Sequence, residues 1–235
     1  MELQSAAEDI AFVQSLAELK RTGCNLLVVG RTAPNVHTIG CDRLLGRDER
    51  SPRWRVLVRT DGSCQRDTDA CAAGAPDRTR TIPFRPHVRS AAAHSALSSD
   101  APGPSPGSHL DLPHRGSVAA IPLAVDAAID EFESAGGPFE PAALRLCVDS
   151  LAPLLEEYEL DVVFRLFHLL TTRIDVVDGM GHYHLPLPID HEIVRTVEPL
   201  FDAIIELRTS ECQLEQRWHL YERGVTSEWL PLERE

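Results

Sequence analysis

Residues 144–151 read LRLCVDSL, a mostly apolar run that ends in Asp149 and Ser150 and leads into a Leu-rich stretch. A short apolar run closed by polar residues is typical of a strand buried on both faces of a parallel sheet. A carboxylate at the carboxyl end of such a strand faces the crevice where open α/β sheets bind ligands, and there it can hold magnesium through water. The pattern equally suits Asp149 and Ser150 as the capping region of a following helix, with Ser150 as its N-cap.

Apolar runs and helical patterns alternate through the rest of the chain. Strands are predicted over 25–29 (NLLVV, closed by Gly30), over 54–59 (WRVLVR) and near 182–185. Helices are predicted from the start of the chain up to Gly23, over 35–46 and 121–135, and through 151–170. The runs 203–207 and 213–220 are predicted to pair as a hairpin. These elements predict an α/β fold with a mostly parallel central sheet, helices on both faces and a C-terminal antiparallel hairpin.

The chain is predicted to form a single domain over 1–235 that contains a low-complexity insertion over 62–115. This segment is dense in Ala, Pro, Ser and Gly, and APGPSPGS at 101–108 is its most extreme part. Such a composition offers too little apolar surface to offset the entropy of ordering, so we expect partial disorder. The exception is TRTIPF at 79–84, which predicts a short strand that Pro83 confines to a sheet edge or a strand end.

Four stretches of the sequence occur in an order that is informative about its family. They are LKRTGCNLLVVG at 19–30, LRLCVDSL at 144–151, DGMGHYHLP at 178–186 and QRWHL at 216–220. Together they resemble the RecA and KaiC group of the P-loop NTPase superfamily, and within it an uncharacterised haloarchaeal set. The resemblance implies a RecA-like three-layer fold in which LRLCVDSL is the Walker B strand and lies next to the strand that ends at Gly30. It also implies a vestigial nucleotide crevice whose cofactor-binding residues are Gly30, Asp61, Asp149 and Ser150.

The loop after Gly30 departs from the active pattern of that group. A phosphate loop reads G-x-x-x-x-G-K-[ST]: its backbone N–H groups cradle the phosphates, while Lys and the hydroxyl handle charge and magnesium. Here Gly30 is followed by RTAPNVHTIGCDRLL, which has no lysine and no second glycine at the required spacing, and Pro34 removes a backbone donor. Thr60 and Asp61 stand where the water-activating acid is expected. The Walker A motif is therefore degenerate, and we predict no catalytic residues.

These features favour a non-catalytic RecA/KaiC-like protein that acts in interaction or regulation, with signal transduction implied by the resemblance to KaiC-like regulators. The first alternative is an NTPase with an atypical phosphate loop. The second is a metal-dependent hydrolase, because His182 and His184 would share one face of a strand and could bind a metal with Asp149 or His191.

Metal binding has a simpler competing interpretation. Side chains alternate between the two faces of a strand, so Tyr183 and Leu185 would fill the core. His182 and His184 would then be ordinary polar residues on the other face. The six cysteines contain no C-x-x-C pair and are predicted to be free thiols that act as small apolar fillers: Cys24, Cys41, Cys64, Cys71, Cys147 and Cys212. No metal ligand is assigned, and the identity of any cofactor stays open.

The charge balance limits the classes of partner. The 235 residues include 36 acidic and 23 basic ones, a formal net charge of −13, and Lys20 is the only lysine. Two explanations stay open and can hold together: a GC-rich genome that encodes Arg in place of Lys, and adaptation to a saline cytoplasm, where salt screens the repulsion between carboxylates. Salt adaptation predicts stability that rises with salt. Nucleic acid is disfavoured, because phosphate binding needs a clustered basic surface. We expect protein partners, with homo-oligomerisation left open.

The start of the chain and its hydropathy predict a cytoplasmic location. Residues 1–20 contain four acidic residues and lack the basic start and apolar core of a signal peptide. No run approaches the ~20 apolar residues of a membrane span. We therefore expect a cytoplasmic protein that makes no membrane contact.

Overall fold

The computed structural model describes residues 2–46, 53–60, 76–84, 117–211, 213–220 and 224–232. The α-helices in these ranges are α1 (Glu2–Thr22), α2 (Pro34–Leu45), α3 (Ala120–Gly136), α4 (Ala152–Glu157), α5 (Leu160–Val176) and α6 (Glu192–Val197). Short 3-10 turns cover Pro76–Arg78 and Glu198–Leu200. None of the described helices combines the length and the apolar character that crossing a membrane requires.

The strands of the described ranges belong to one mixed sheet. They are β1 (Cys24–Val29), β2 (Trp54–Arg59), β3 (Thr79–Pro83), β4 (Leu144–Val148), β5 (Met180–Leu185), β6 (Ala203–Ser210), β7 (Gln213–Leu220), β8 (Val225–Thr226) and β9 (Leu230–Pro231). Their order is β3-β2-β4-β5-β1-β6-β7-β8, and β9 pairs with β7. Neighbours from β3 to β6 are parallel, whereas β7 is antiparallel to β6, β8 and β9. The predicted α/β architecture with a C-terminal antiparallel hairpin is confirmed.

Side chains of the central strands alternate between two apolar layers, because successive residues of a strand point to opposite faces. On β1, Leu27 and Val29 pack into a larger core that α3 and α5 cover. Leu26 and Val28 pack into a second core on the side of α1 and α2. All four side chains are fully buried. Helices therefore cover both faces of the sheet, and the carboxyl ends of β1, β2 and β4 lie along one of its edges.

The sequence signal at 79–84 is confirmed. The strand β3 is the edge strand beside β2, and Pro83 is its last residue, where a missing N–H weakens the ladder least. Most of the insertion predicted over 62–115 lies outside the described residues. The expected disorder and the single-domain assignment therefore stay predictions.

One prediction about the sheet is wrong. The strand of Asp149 does not lie beside the strand that ends at Gly30, because β5 separates β4 from β1. Tyr183 of β5 pairs with Val148 on one side and with Leu27 on the other. Apolar runs of similar composition contain no signal of lateral order, since helical crossovers allow several arrangements of parallel strands.

Candidate functional site

The carboxylate of Asp149, directly after β4, binds the end of the neighbouring strand β2. Its Oδ1 accepts the backbone N–H of Thr60 at 2.8 Å and lies 2.9 Å from the Thr60 hydroxyl. That hydroxyl also lies 2.7 Å from the carbonyl oxygen of Ser150. Asp149 is 2% exposed and Thr60 is 1% exposed. The carboxylate therefore acts as a buried tie between two adjacent strand ends.

The second carboxylate oxygen faces a positive charge. Oδ2 of Asp149 lies 3.7 Å from Nε of Arg59, the last residue of β2. Burial raises the pKa of the Asp149 carboxyl above its ordinary value, and the hydrogen bonds from Thr60 and the charge of Arg59 offset part of this rise. A water-mediated magnesium ligand needs a carboxylate oxygen that water can reach. Here both oxygens face groups of the protein itself.

The other predicted crevice residues have separate roles. The hydroxyl of Ser150 accepts the backbone N–H of Ala152 at 3.3 Å, so it supports the start of α4. The N-cap position of α4 belongs to Leu151, and the prediction of Ser150 as the N-cap residue is therefore wrong by one position. Asp61 lies outside the described residues. The assignment of these residues to a vestigial nucleotide crevice stays a prediction.

Gly30 is required by the packing of β1 against β6. Its φ is +130°, a conformation that residues with a side chain rarely adopt. A Cβ placed on Gly30 would lie 2.2 Å from the carbonyl oxygen of Leu207 in β6. The glycine therefore allows two backbones to approach closely, a role that does not depend on any bound phosphate.

The connection between β1 and α2 is short and uses its own backbone donors. The N–H of Gly30 donates to the carbonyl of Leu187 at 2.9 Å, and the N–H of Thr32 donates to the carbonyl of Gly30 at 3.0 Å. The helix α2 begins at Pro34, which has no N–H to offer. Only residues 30–33 separate the strand from the helix, so this connection lacks the length of a phosphate loop.

A second group of polar side chains lies between α2 and the sheet, on the face opposite the larger core. His37 and Cys41 occupy successive turns of α2, while Cys147 comes from β4 and His182 and His184 come from β5. Cys147 is 3% exposed and the other four are 0% exposed. The sulfur of Cys41 lies 3.0 Å from that of Cys147 and 3.1 Å from Nε2 of His182. We call these five residues the His/Cys cluster.

His37 determines the tautomer of His184. Nε2 of His37 lies 2.9 Å from the carbonyl oxygen of Gly30, and because a carbonyl can only accept, Nε2 is the protonated nitrogen. Burial lowers the pKa of His37, so the ring is neutral at pH 7 and its Nδ1 is an acceptor. Nδ1 of His184 lies 3.1 Å from that acceptor and therefore donates to it. In the neutral form of His184, Nε2 is then the unprotonated nitrogen.

The convergence of these five residues was not predicted from the sequence. His182 and His184 are both fully buried, so they are not surface residues, and the interpretation of both as ordinary polar residues stays untested. The groups suggested as their partners are engaged elsewhere: Asp149 binds Thr60, and the ring of His191 accepts the N–H of Ile193 at the start of α6. The available signals were H-x-x-x-C on a helix and H-x-H on a strand, and their convergence with Cys147 depends on the order of the strands.

Comparisons with known proteins agree with this architecture. A family model described as "Family of unknown function (DUF7504)" matches residues 23–207. No curated protein matches the chain. Among solved structures, the chain is similar to the KaiC-like protein PH0186 of the hyperthermophilic archaeon Pyrococcus horikoshii OT3, with 12% sequence identity and a TM-score of 0.54. The match covers 89% of this chain and 85% of that protein, and at this identity it shows a shared RecA-like fold.

Proposed function

Because the chain belongs to the family of unknown function DUF7504 and has the fold of a KaiC-like protein, we propose that it is a non-catalytic RecA/KaiC-like interaction or regulatory protein. Signal transduction is the process that its likeness to KaiC-like proteins favours. Fold similarity alone supports that last step, since one fold can host many functions. The contacts at the ends of β1 and β4 disfavour catalysis.

The observation that carries the proposal is the engagement of Asp149. Both oxygens of its carboxylate face protein groups, Thr60 on one side and Arg59 on the other, and the side chain is 2% exposed. Placing a hydrated magnesium ion here would require breaking these contacts. In this proposal Asp149 therefore has a structural role at the end of its strand.

The loop after β1 supports the same conclusion. Phosphate binding by a RecA-like protein depends on a lysine and on a set of backbone donors aimed at one point. The connection over 30–33 contains no lysine, and two of its N–H groups already bind carbonyl groups within the protein. Each lost charge-assisted hydrogen bond is worth ~1.5 to 3 kcal/mol, so the loss of several lowers ATP affinity by orders of magnitude.

Exposed apolar side chains on the outer helices support an interaction role. Leu123 of α3 is 69% exposed, and on α5 Leu169 is 55% and Val176 is 69% exposed. The two residues of α5 are seven positions apart and therefore lie on the same helical face. Exposed apolar side chains on one helical face of an otherwise acidic protein suit a protein partner better than nucleic acid.

An ATP hydrolysis assay tests the non-catalytic assignment. The protein would be assayed in molar KCl with magnesium, together with Asp149→Asn and a matched control, Asp161→Asn, which removes an exposed carboxylate of α5. We expect no magnesium-dependent release of phosphate from any of the three proteins. Hydrolysis by the unmodified protein and the control that disappears in Asp149→Asn would overturn the proposal in favour of an NTPase with an atypical phosphate loop.

A further inference from the structure

The His/Cys cluster contains the side chains that tetrahedral metal sites use. The ligand atoms of Cys41, Cys147, His182 and His184 all lie within 4.8 Å of one another. A tetrahedral ion with bonds of ~2.3 Å to sulfur and ~2.0 Å to nitrogen separates its ligand atoms by about 3.3 to 3.8 Å. Binding would require the two sulfurs, now 3.0 Å apart, to separate slightly, and side-chain rotation can supply this movement. The four atoms therefore lie close enough together for one ion to bind all of them.

The ligand types indicate which ion this is. Two sulfur and two imidazole ligands form the set typical of zinc, whereas magnesium, calcium and manganese prefer oxygen. We propose that Cys41, Cys147, His182 and His184 bind one Zn²⁺ ion in a closed, structural site. On binding, each thiol releases its proton to solvent and binds as a thiolate. Two thiolates, two neutral imidazoles and Zn²⁺ have no net charge, which suits a site at the centre of the protein.

The position of the site indicates its role. The four ligands come from α2, β4 and β5, and Cys41 is separated along the chain from Cys147 by 106 positions and from His182 by 141. All four are at most 3% exposed, so the site offers no position for a substrate. Catalytic zinc keeps an open coordination position, whereas four buried protein ligands define a structural site. The ion holds α2 against the sheet, and this contact does not depend on the phosphate of a bound nucleotide.

His37 is a positioning residue for this site. It accepts the Nδ1–H of His184 and donates its own Nε2–H to the carbonyl of Gly30, so it holds Nε2 of His184 in the unprotonated form that binds metal. Residues that hydrogen-bond to a metal-binding histidine in this way change metal affinity by roughly 10- to 100-fold. The imidazole ring of His37 thereby links Gly30, in the loop after β1, to the metal ligand His184.

Metal analysis of untagged protein, purified without chelators, tests the proposal. We expect about one zinc per chain in the unmodified protein and in Cys24→Ser, which replaces a buried cysteine outside the cluster. Cys41→Ser and Cys147→Ser should lose the zinc. In His37→Ala we expect competition with a chelator to show affinity that is roughly 10- to 100-fold weaker.

Cobalt substitution keeps the proposal testable if the variants fail to fold. After removal of the native metal, Co²⁺ added to the unmodified protein should give the strong visible bands and the sulfur-to-cobalt charge transfer of a tetrahedral thiolate site. The proposal would be overturned by folded protein that contains no zinc and gives no such absorption with Co²⁺. It would also be overturned by mass analysis showing that Cys41 and Cys147 form a disulfide in the purified protein.

Discussion

Thr60 and Asp149 are 89 positions apart in the chain and share two hydrogen bonds at the ends of adjacent strands. The backbone hydrogen bonds between β2 and β4 end near these residues. There the carboxylate of Asp149 supplies side-chain hydrogen bonds that join the two strands. An acid at this position can hold a metal when it is accessible, and here it holds a neighbouring strand instead. The observed contacts of Asp149 are therefore those of a residue that joins two strand ends.

Removal of the Thr60 hydroxyl tests this tie. Thr60→Val keeps the shape of the side chain but removes the hydroxyl proton that faces the charged Asp149 carboxylate and the carbonyl oxygen of Ser150. This loss should lower the free energy of unfolding by ~1.5 to 3 kcal/mol. Urea unfolding at constant high KCl measures the change. In the matched control, Thr196→Val on α6, the lost bond is an exposed one to the carbonyl of Glu192, and little change is expected. Equal losses of unfolding free energy in both variants would show that the Thr60 hydroxyl contributes no more stability than an exposed hydroxyl on α6.

Gly30→Ala tests whether this glycine serves the sheet. The new methyl group would meet the carbonyl of Leu207, and φ of +130° is strained for alanine, so we expect a loss of about 3 kcal/mol or more. Gly224→Ala is the control, because φ is +60° there and nothing lies within 4 Å of the added Cβ. It should cost about 1 kcal/mol. Similar costs in thermal or urea unfolding would contradict the close contact between β1 and β6.

The ion pair between Arg80 of β3 and Glu131 of α3 predicts a pH dependence. Nε of Arg80 donates to Oε2 of Glu131 at 2.9 Å, and Nη2 donates to Oε1. The hydrogen bond from Arg80 lowers the pKa of Glu131 below its ordinary 4.5. The stabilisation is therefore complete above pH 4.5 and is lost as the pH falls through the lower pKa of the folded state.

Stability measured against pH tests this pair. Glu131 is 45% exposed, so at neutral pH we expect the free energies of unfolding of the unmodified protein and Glu131→Gln to differ by less than about 1 kcal/mol. In acid we expect the two free energies to be equal. Glu156→Gln on α4 is the control for the loss of one exposed charge. A difference that stays constant down to low pH would show that the carboxylate charge of Glu131 is not its source.

Much of the fold was predictable because its signals are local. The apolar runs at 25–29, 54–59 and 144–148 each became strands within one residue of the predicted bounds, and the C-terminal hairpin formed where expected. The lateral order of the strands was not predictable in this way. Several orders bury the same apolar runs equally well, and the position of β5 between β4 and β1 is a property of the whole sheet.

The His/Cys cluster shows the same limit for a functional site. His37 and Cys41 could be placed on one helical face, and His182 and His184 on one face of a strand, from spacing alone. Their meeting with Cys147 requires that β4 pairs with β5 in the register that sets Cys147 beside His182. It also requires α2 to pack on that face of the sheet. No local sequence pattern predicts this packing.

Equilibrium titration with ATP and magnesium in molar KCl measures whether the protein binds a nucleotide at all. Without the lysine and the donor cradle we predict no saturable binding below about 1 mM, which corresponds to a binding free energy weaker than about −4 kcal/mol. The same result is expected for Asp149→Asn. Saturable, magnesium-dependent binding in the micromolar range that Asp149→Asn abolishes would contradict the account and show that Asp149 serves a nucleotide.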